Sequence, residues 1–458
     1  MKVRHPFRFG AFAVATVILL TQAIHSQSAQ RYQVKFPSPQ GSVTTFHAPI
    51  LGVATHFGSI RILGYKSGEV TRREFEEVGV NSYRDGIAWS SFSFPPNGEP
   101  IMWQRRRIID FLPVAQHNPL LVLGSTDIRL PEHGMPFTDE ELANFGAYVR
   151  KTVAMTAPYS PIFEVWNEYN MMVGHAKPGK WIVGEGEPSD IRAAVHYARL
   201  AKVGVKAVKD ANPQAKVLVG AVGEDPDWKW ATAIVRYGAM DNADGLSVHL
   251  YNHCRRQETR NADELITRVT KLQDQLKALR GGQETPIYVT EFGWPTTNTK
   301  CNVSPERSAY NFAHFILQSA AVPWIRGAWM YELKDDDVKP DDIEANFGLF
   351  TYNDEPKPAV CFVREARNIV RQARSVELQQ PRPNVFAVRT VMNDHQVVAI
   401  WTTNPDATTR VTLPGAKQPV QQMCGTPASD DKSTYQLSQA PLIVKYGSGE
   451  PISLEFVD

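Results

Sequence analysis

Two segments of this 458-residue chain set a glutamate beyond an apolar run: Phe163-Glu164-Val165-Trp166-Asn167-Glu168-Tyr169-Asn170 and Tyr288-Val289-Thr290-Glu291-Phe292-Gly293-Trp294-Pro295-Thr296. Short apolar runs bounded by turn residues read as buried strands, so Glu168 and Glu291 fall at strand ends, where a carboxylate is tolerated and reachable. Cleavage of a glycosidic bond needs two such groups, one to protonate the leaving oxygen and one to attack the anomeric carbon or activate water. Other chemistries fit less well. Asp127, Glu132, His133 and the run Asp335-Asp336-Asp337 would be the residues for a metal cluster, but a charge run in a loop is ordinarily a solvated face. The sequence has no GxSxG elbow, phosphate-binding glycine loop or HExxH helix, and its four cysteines form no CxxC pair, so neither metal nor cofactor is expected.

The elements that must hold these glutamates recur along the chain. Apolar strands are predicted near Ile50–Thr55, Val80–Arg84, Leu120–Gly124, Ile162–Trp166, Lys216–Ala221, Gly245–Leu250, Ile287–Thr290 and Gly327–Tyr331, with amphipathic helices between them. In the segment from Asn261, Leu265, Ile266, Val269, Leu272, Leu276 and Leu279 share one helical face before Gly281-Gly282. Ser304-Pro305 reads as a cap followed by a first-turn proline, and Ser189-Asp190 starts a helix that runs to Ala211. Eight strands is the number that closes a barrel; a doubly wound open sheet would show the same periodicity. In a barrel, both glutamates would stand over one shared face. From about Ser375 the pattern becomes alternating strands separated by turns such as Asn393-Asp394, the mark of a small β-sandwich.

Residues 1–29 read as a signal peptide or an N-terminal anchor, because Lys2, Arg4 and Arg8 precede an apolar stretch from Phe9 to Leu20. The expected location is secreted or periplasmic, with a membrane tether if that segment stays uncleaved. A formal net charge of +1 offers no field to draw phosphates, which argues against nucleic acid as a partner. The 10 Trp and 15 Tyr suit a ligand that is part apolar and part hydroxylated.

The strand order, with Trp-Asn-Glu after strand four and Thr-Glu-Phe-Gly-Trp-Pro after strand seven, resembles the clan of retaining glycoside hydrolases, and most of all glycoside hydrolase family 39. The resemblance implies a (β/α)8 TIM barrel over residues 48–374 and a small C-terminal β-sandwich over 375–458. It makes Glu168 the general acid/base, Glu291 the nucleophile and Asn167 a ligand of the sugar 2-hydroxyl. Arg84 is similar to the clan's strand-two arginine beside the nucleophile, a salt bridge to Asp85 being the plainer alternative. His249 and Tyr251 are similar to the clan's strand-six pair, and Trp329 to its aromatic platform. His56 and Trp294 are further candidate substrate contacts. The family usually has proline after the catalytic Asn-Glu, where this chain has Tyr169.

A barrel sets the loops after strands six and seven side by side, so an exported chain is expected to join Cys254 to Cys301, and Cys361 to Cys424 across the two domains. Long loops, among them Met171 through Trp181 to Pro188, and the aromatics Trp181, Trp294 and Trp329 suggest stacking on several consecutive sugars. The expected substrate is therefore a polysaccharide cut within its chain, such as a bacterial exopolysaccharide. The alternatives are an exo-acting β-xylosidase-like enzyme and a non-catalytic carbohydrate-binding barrel.

Overall fold

Eight of the apolar runs close on themselves in a computed structural model that describes residues 31–39, 46–57, 65, 68–94, 99–102, 112, 118–124, 130, 135–173, 192–425 and 434–457. In order around the barrel they are Ile50–Ala54, Ser82–Ile87, Leu120–Leu123, Ile162–Val165, Val217–Val222, Gly245–Leu250, Ile287–Phe292 and Ile325–Met330. All pair in parallel, and the eighth returns to the first with Gly327 opposite Ile50. Closure excludes the open doubly wound sheet. We refer to these as barrel strands one to eight. Their ends differ from the sequence reading by up to three residues, as at strand two, which begins at Ser82 and not Val80, because pairing and not apolar content sets a strand's limits.

Helices cover the outside of the barrel for the reasons their sequences give. Ala262–Leu279 is capped by Asn261, whose Oδ1 accepts from Glu264 N at 3.0 Å, and buries Leu265, Ile266, Val269, Leu272 and Leu276. Leu279, in its last turn, is exposed. Pro305–Ala320 starts on Ser304, whose hydroxyl accepts from Arg307 N. Arg192–Ala211 buries its Ala-rich face against the helix Asp139–Thr156.

The barrel interior is filled, not hollow. Leu120, Ile162, Leu218, Tyr288 and Trp329 form one layer toward the start of the strands, and Trp329 Nε1 donates to Ser82 Oγ at 3.0 Å. Gly52 makes room for that indole: a Cβ there would collide with its ring. Trp329 is thus a core residue and not the sugar platform anticipated for it. Deleting so large a buried group is expected to cost about 3–5 kcal/mol, so Trp329→Ala should shift the denaturant midpoint strongly downward.

Two further sheets form the sandwich. One runs Ser375–Arg382, Val385–Val391, His395–Thr402, Leu442–Gly447, Lys417–Gln422. The other contains Arg31–Phe36, Ile452–Val457, Arg410–Thr412 and Thr434–Gln436, so a strand preceding the barrel completes the domain that follows it. The sandwich packs on the barrel's outer helices: the His314 ring stacks on Trp401 at 4.7 Å, and His314 Nε2 bonds Gln439 O. Disulfides join Cys254 to Cys301 and Cys361 to Cys424. Among the described residues no helix is long and apolar enough to cross a membrane. Residues 1–29, read above as a signal or anchor, lie outside the described residues.

Candidate active site

At the end of strand four the chain bends out of the sheet through two left-handed residues, Trp166 (φ 71°) and Glu168 (φ 44°). Such conformations cost on the order of 1–3 kcal/mol each for non-glycine residues and persist only where surrounding bonds impose them. Trp166 N donates to Leu123 O at 2.8 Å, and Glu168 N to Ala221 O at 3.0 Å, on strands to either side. The bend turns Asn167 and Glu168 into the barrel mouth. Gly223 keeps that space clear, since a Cβ there would lie 3.1 Å from Glu168 Cδ and 2.5 Å from Met171 Cγ. On strand seven a register shift between Val289 and Glu291 re-aims Glu291 inward, the usual effect of a bulge beside a site.

Arg84, on strand two, gathers the groups from strands two, four, six and seven. Its Nε donates to Glu164 at 2.7 Å, Nη1 to Glu291 Oε1 at 2.5 Å and Nη2 to Asn167 Oδ1 at 2.7 Å. Burial disfavours the guanidinium charge, but Glu164 and Glu291 more than offset this and raise its pKa. The alternative pairing of Arg84 with Asp85 does not occur: Asp85 accepts from Thr55 Oγ1, Phe57 N and Gly86 N. Burial pushes the Asp85 carboxyl up to about 6 despite those donors.

The two glutamates have different surroundings. Glu291 is held by two donors, Arg84 and the Tyr251 hydroxyl at 2.7 Å, and its side chain is 11% exposed. Glu168 is 29% exposed and is bonded through Oε1 to His249 Nδ1 at 2.8 Å. Burial pushes the Glu168 carboxyl up, but the hydrogen bond and charge of His249, with Arg84, bring it below the ordinary carboxylate value. Burial works against the His249 cation, yet Glu291 and Glu168 raise its pKa. Both directions favour an ion pair in which His249 carries the proton and Glu168 is ionised. Burial and the neighbouring Glu291 keep Tyr251 a protonated donor. One oxygen of Glu168 and one of Glu291 lie within 4.8 Å of each other, with His249 between them.

A pocket of about 630 Å³ opens over this pair, within the roughly 300–1,000 Å³ of small-ligand sites. Arg84, Asn167, Glu168, His249, Tyr251 and Glu291 all line it, as does His56. His56 Nδ1 lies 3.0 Å from Asp336 Oδ1 and 3.1 Å from Glu332 Oε2. Burial opposes the His56 cation, but Glu332 and Asp336 push its pKa up to about 10. Glu332 is fully buried, which holds its carboxyl well above the usual range. His56, Glu332 and Asp336 are close enough to share a cation, as are Glu168, His249 and Glu291; in each set the histidine pairs with its carboxylates, while both Glu332 oxygens are buried without a hydrogen bond among the described residues.

Three expected contacts fall elsewhere. Trp329 lies in the barrel core, one layer below the mouth. Trp294 is buried behind the wall, packed against Phe292 and Phe312, with Nε1 donating to Asn252 Oδ1 at 2.8 Å. It braces a pocket residue and does not face the pocket. Trp181 lies outside the described residues, as do Asp127, Glu132 and His133. The aromatic that does line the mouth at strand eight is Tyr331, two residues beyond Trp329 and so on the same side of the strand. That two-residue period was the signal for it. Asp336 stood in an acidic run that read as a solvated face, but it pairs with His56, and Asp335 is buried against Lys357; Glu332 had no signal, because its ion pair with His56 joins residues far apart in the chain.

No protein-family profile matches the chain, and no curated protein matches it. Solved structures do. A family 39 glycoside hydrolase from the gut symbiont Bacteroides cellulosilyticus WH2 is 21% identical with TM-score 0.66, over 88% of this chain and 82% of that one. A monomeric β-xylosidase from Caulobacter crescentus CB15 is 15% identical with TM-score 0.54, over 91% and 97%. A GH5_18 protein from Streptomyces cattleya, solved with GlcNAc, is 18% identical with TM-score 0.53, over 74% and 83%. The chain therefore shares the (β/α)8 barrel fold of the family 39 glycoside hydrolases and their family 5 neighbours.

Proposed function

We propose that the protein is a retaining β-glycoside hydrolase in which Glu291 is the nucleophile and Glu168 the general acid/base. The observation that carries this reading is the approach of the two carboxylates to within 4.8 Å, oxygen to oxygen. That is a nearest approach between single oxygens, and it suits the close pair of a retaining enzyme, about 5–5.5 Å between carboxyl groups, better than the inverting pair, which at about 6.5–9.5 Å must admit a water between them. The roles follow from the surroundings. Glu291, fixed and charge-stabilised by Arg84 and Tyr251, attacks the anomeric carbon. Glu168, nearer solvent, protonates the leaving oxygen, and a bound sugar that excludes water raises its proton affinity for that step. The leaving sugar departs, a covalent glycosyl ester remains on Glu291, and Glu168 then takes a proton from the water that releases it. Asn167, oriented by Arg84, is placed to bond the sugar 2-hydroxyl.

The substrate class in this reading is a polysaccharide cut within its chain, and the protein is exported. Two disulfides and the basic-then-apolar N-terminus support export, with a bacterial exopolysaccharide as the matching polymer. An exo-acting β-xylosidase-like enzyme is the second reading, favoured by the likeness to the Caulobacter protein over 91% of this chain. Early product distribution separates them. Digesting a matching polymer should lower chain length sharply before monosaccharide accumulates; monosaccharide from the first time point beside an unshortened polymer would favour the exo reading instead.

A further inference from the structure

The wall of the pocket built by the loop after strand six carries charge that the double displacement does not use. His249 of strand six holds the Glu168 carboxyl that protonates the leaving oxygen, which sets the leaving sugar toward this side of the mouth. Arg255 lines the pocket there, beside the Cys254–Cys301 disulfide that fixes its loop. Its Nη1 donates to Glu264 Oε1 at 2.9 Å. Glu264 is already occupied by Arg268, 3.1 Å from the same oxygen, and by Asn252 Nδ2 at 2.9 Å.

Two more guanidiniums stand behind them. Arg260 reaches only carbonyls, Arg255 O and Asn302 O, and Arg307 reaches Gln257 O; neither has a carboxylate partner among the described residues. Leaving aside Arg256, which pairs with Glu258, four guanidiniums are thus set against Glu264, its neighbour Asp263 and, beside Arg268, Glu224. The surplus is felt locally: burial and then Arg260 lower the pKa of the pocket residue His253 to about 4, and the same two causes lower that of Arg307. His253 Nδ1 is buried with no hydrogen-bond partner among the described residues. In a chain with a net charge of only +1, such a concentration of positive charge needs a local reason.

We propose that this wall is a subsite for an anionic sugar on the leaving-group side, with the carboxylate of a uronic acid received by Arg255 and the surrounding positive field. This rests on the hydrolase reading for which side is which, but binding tests it separately. The Glu291→Gln protein would be titrated with β-linked oligosaccharides whose reducing-side sugar is glucuronic acid, and with the same oligosaccharides after reduction of the carboxyl to a hydroxymethyl group. A charge-assisted contact predicts about tenfold or more tighter binding of the acidic form, weakened by added salt. Adding Arg255→Gln should remove most of that preference, and Arg255→Lys should keep part of it. Equal binding of the two forms, or a preference untouched by Arg255→Gln, overturns the proposal. Acid-selective binding in a protein whose wild type turns over no glycoside would uphold this subsite and refute the hydrolase reading.

Discussion

Replacing Glu291 with glutamine is expected to lower turnover of an activated aryl β-glycoside by roughly four orders of magnitude or more while leaving the fold intact, because the carboxylate proposed as nucleophile is removed at nearly constant volume. Arg84 makes the fold claim specific. It keeps Glu164 as an ion-pair partner and Asn167 as an acceptor, so the buried guanidinium is not left without a counter-charge when Glu291 becomes neutral. Thermal melts of the variant should therefore lie close to wild type. Arg84 itself is different: its loss would strand Glu164, which is fully buried, and such a broken pair costs about 3–5 kcal/mol. A loss of activity with a wild-type melt in Glu291→Gln, but not in Arg84→Ala, is the expected pattern.

Glu168→Ala should fail at a different step. With an activated leaving group no proton is needed for glycosylation, so the intermediate forms, but the water that must release it has lost its base, a loss of about 10²–10⁴-fold. Pre-steady-state kinetics should show a burst of phenolate followed by slow turnover. Azide, small and already ionised, fits the space left by the carboxylate and needs no deprotonation. It should raise the turnover rate and give a glycosyl azide of retained configuration. Glu291→Gln should show neither burst nor rescue. If azide rescued Glu291→Gln in place of Glu168→Ala, and the azide product were inverted, the two roles would have to be exchanged.

The residues that meet in the mouth were largely legible because each sits at a strand end that local patterning reveals. Glu168, Glu291, Arg84, His249 and Tyr251 follow apolar runs, and once eight runs close into a barrel their ends share one face. What the pattern could not supply was depth along the barrel axis. Trp329 and Tyr331 lie on the same side of strand eight, and only packing against Leu120, Leu218 and the space left by Gly52 decides that the tryptophan sits a layer lower. Trp294 follows Glu291 closely, but the helix Pro305–Ala320 offers Phe312 as a better neighbour for its ring than the solvent of the mouth. The strand Arg31–Phe36 escaped for a related reason: its partner Ile452–Val457 lies at the far end of the chain, and pairing over that separation leaves no local trace.

The central claim is that a sugar becomes covalently attached to Glu291. A 2-deoxy-2-fluoro β-glycoside with a good leaving group slows release more than formation, so a panel of such reagents built on xylose, glucose, mannose and galactose would trap the ester for mass spectrometry of peptic peptides. The expected result is one added glycosyl unit per protein, carried by the peptide that contains Glu291 and absent from Glu291→Gln. A label on any other residue, or steady hydrolysis of the matching aryl glycoside with no labelled peptide at all, would contradict the account.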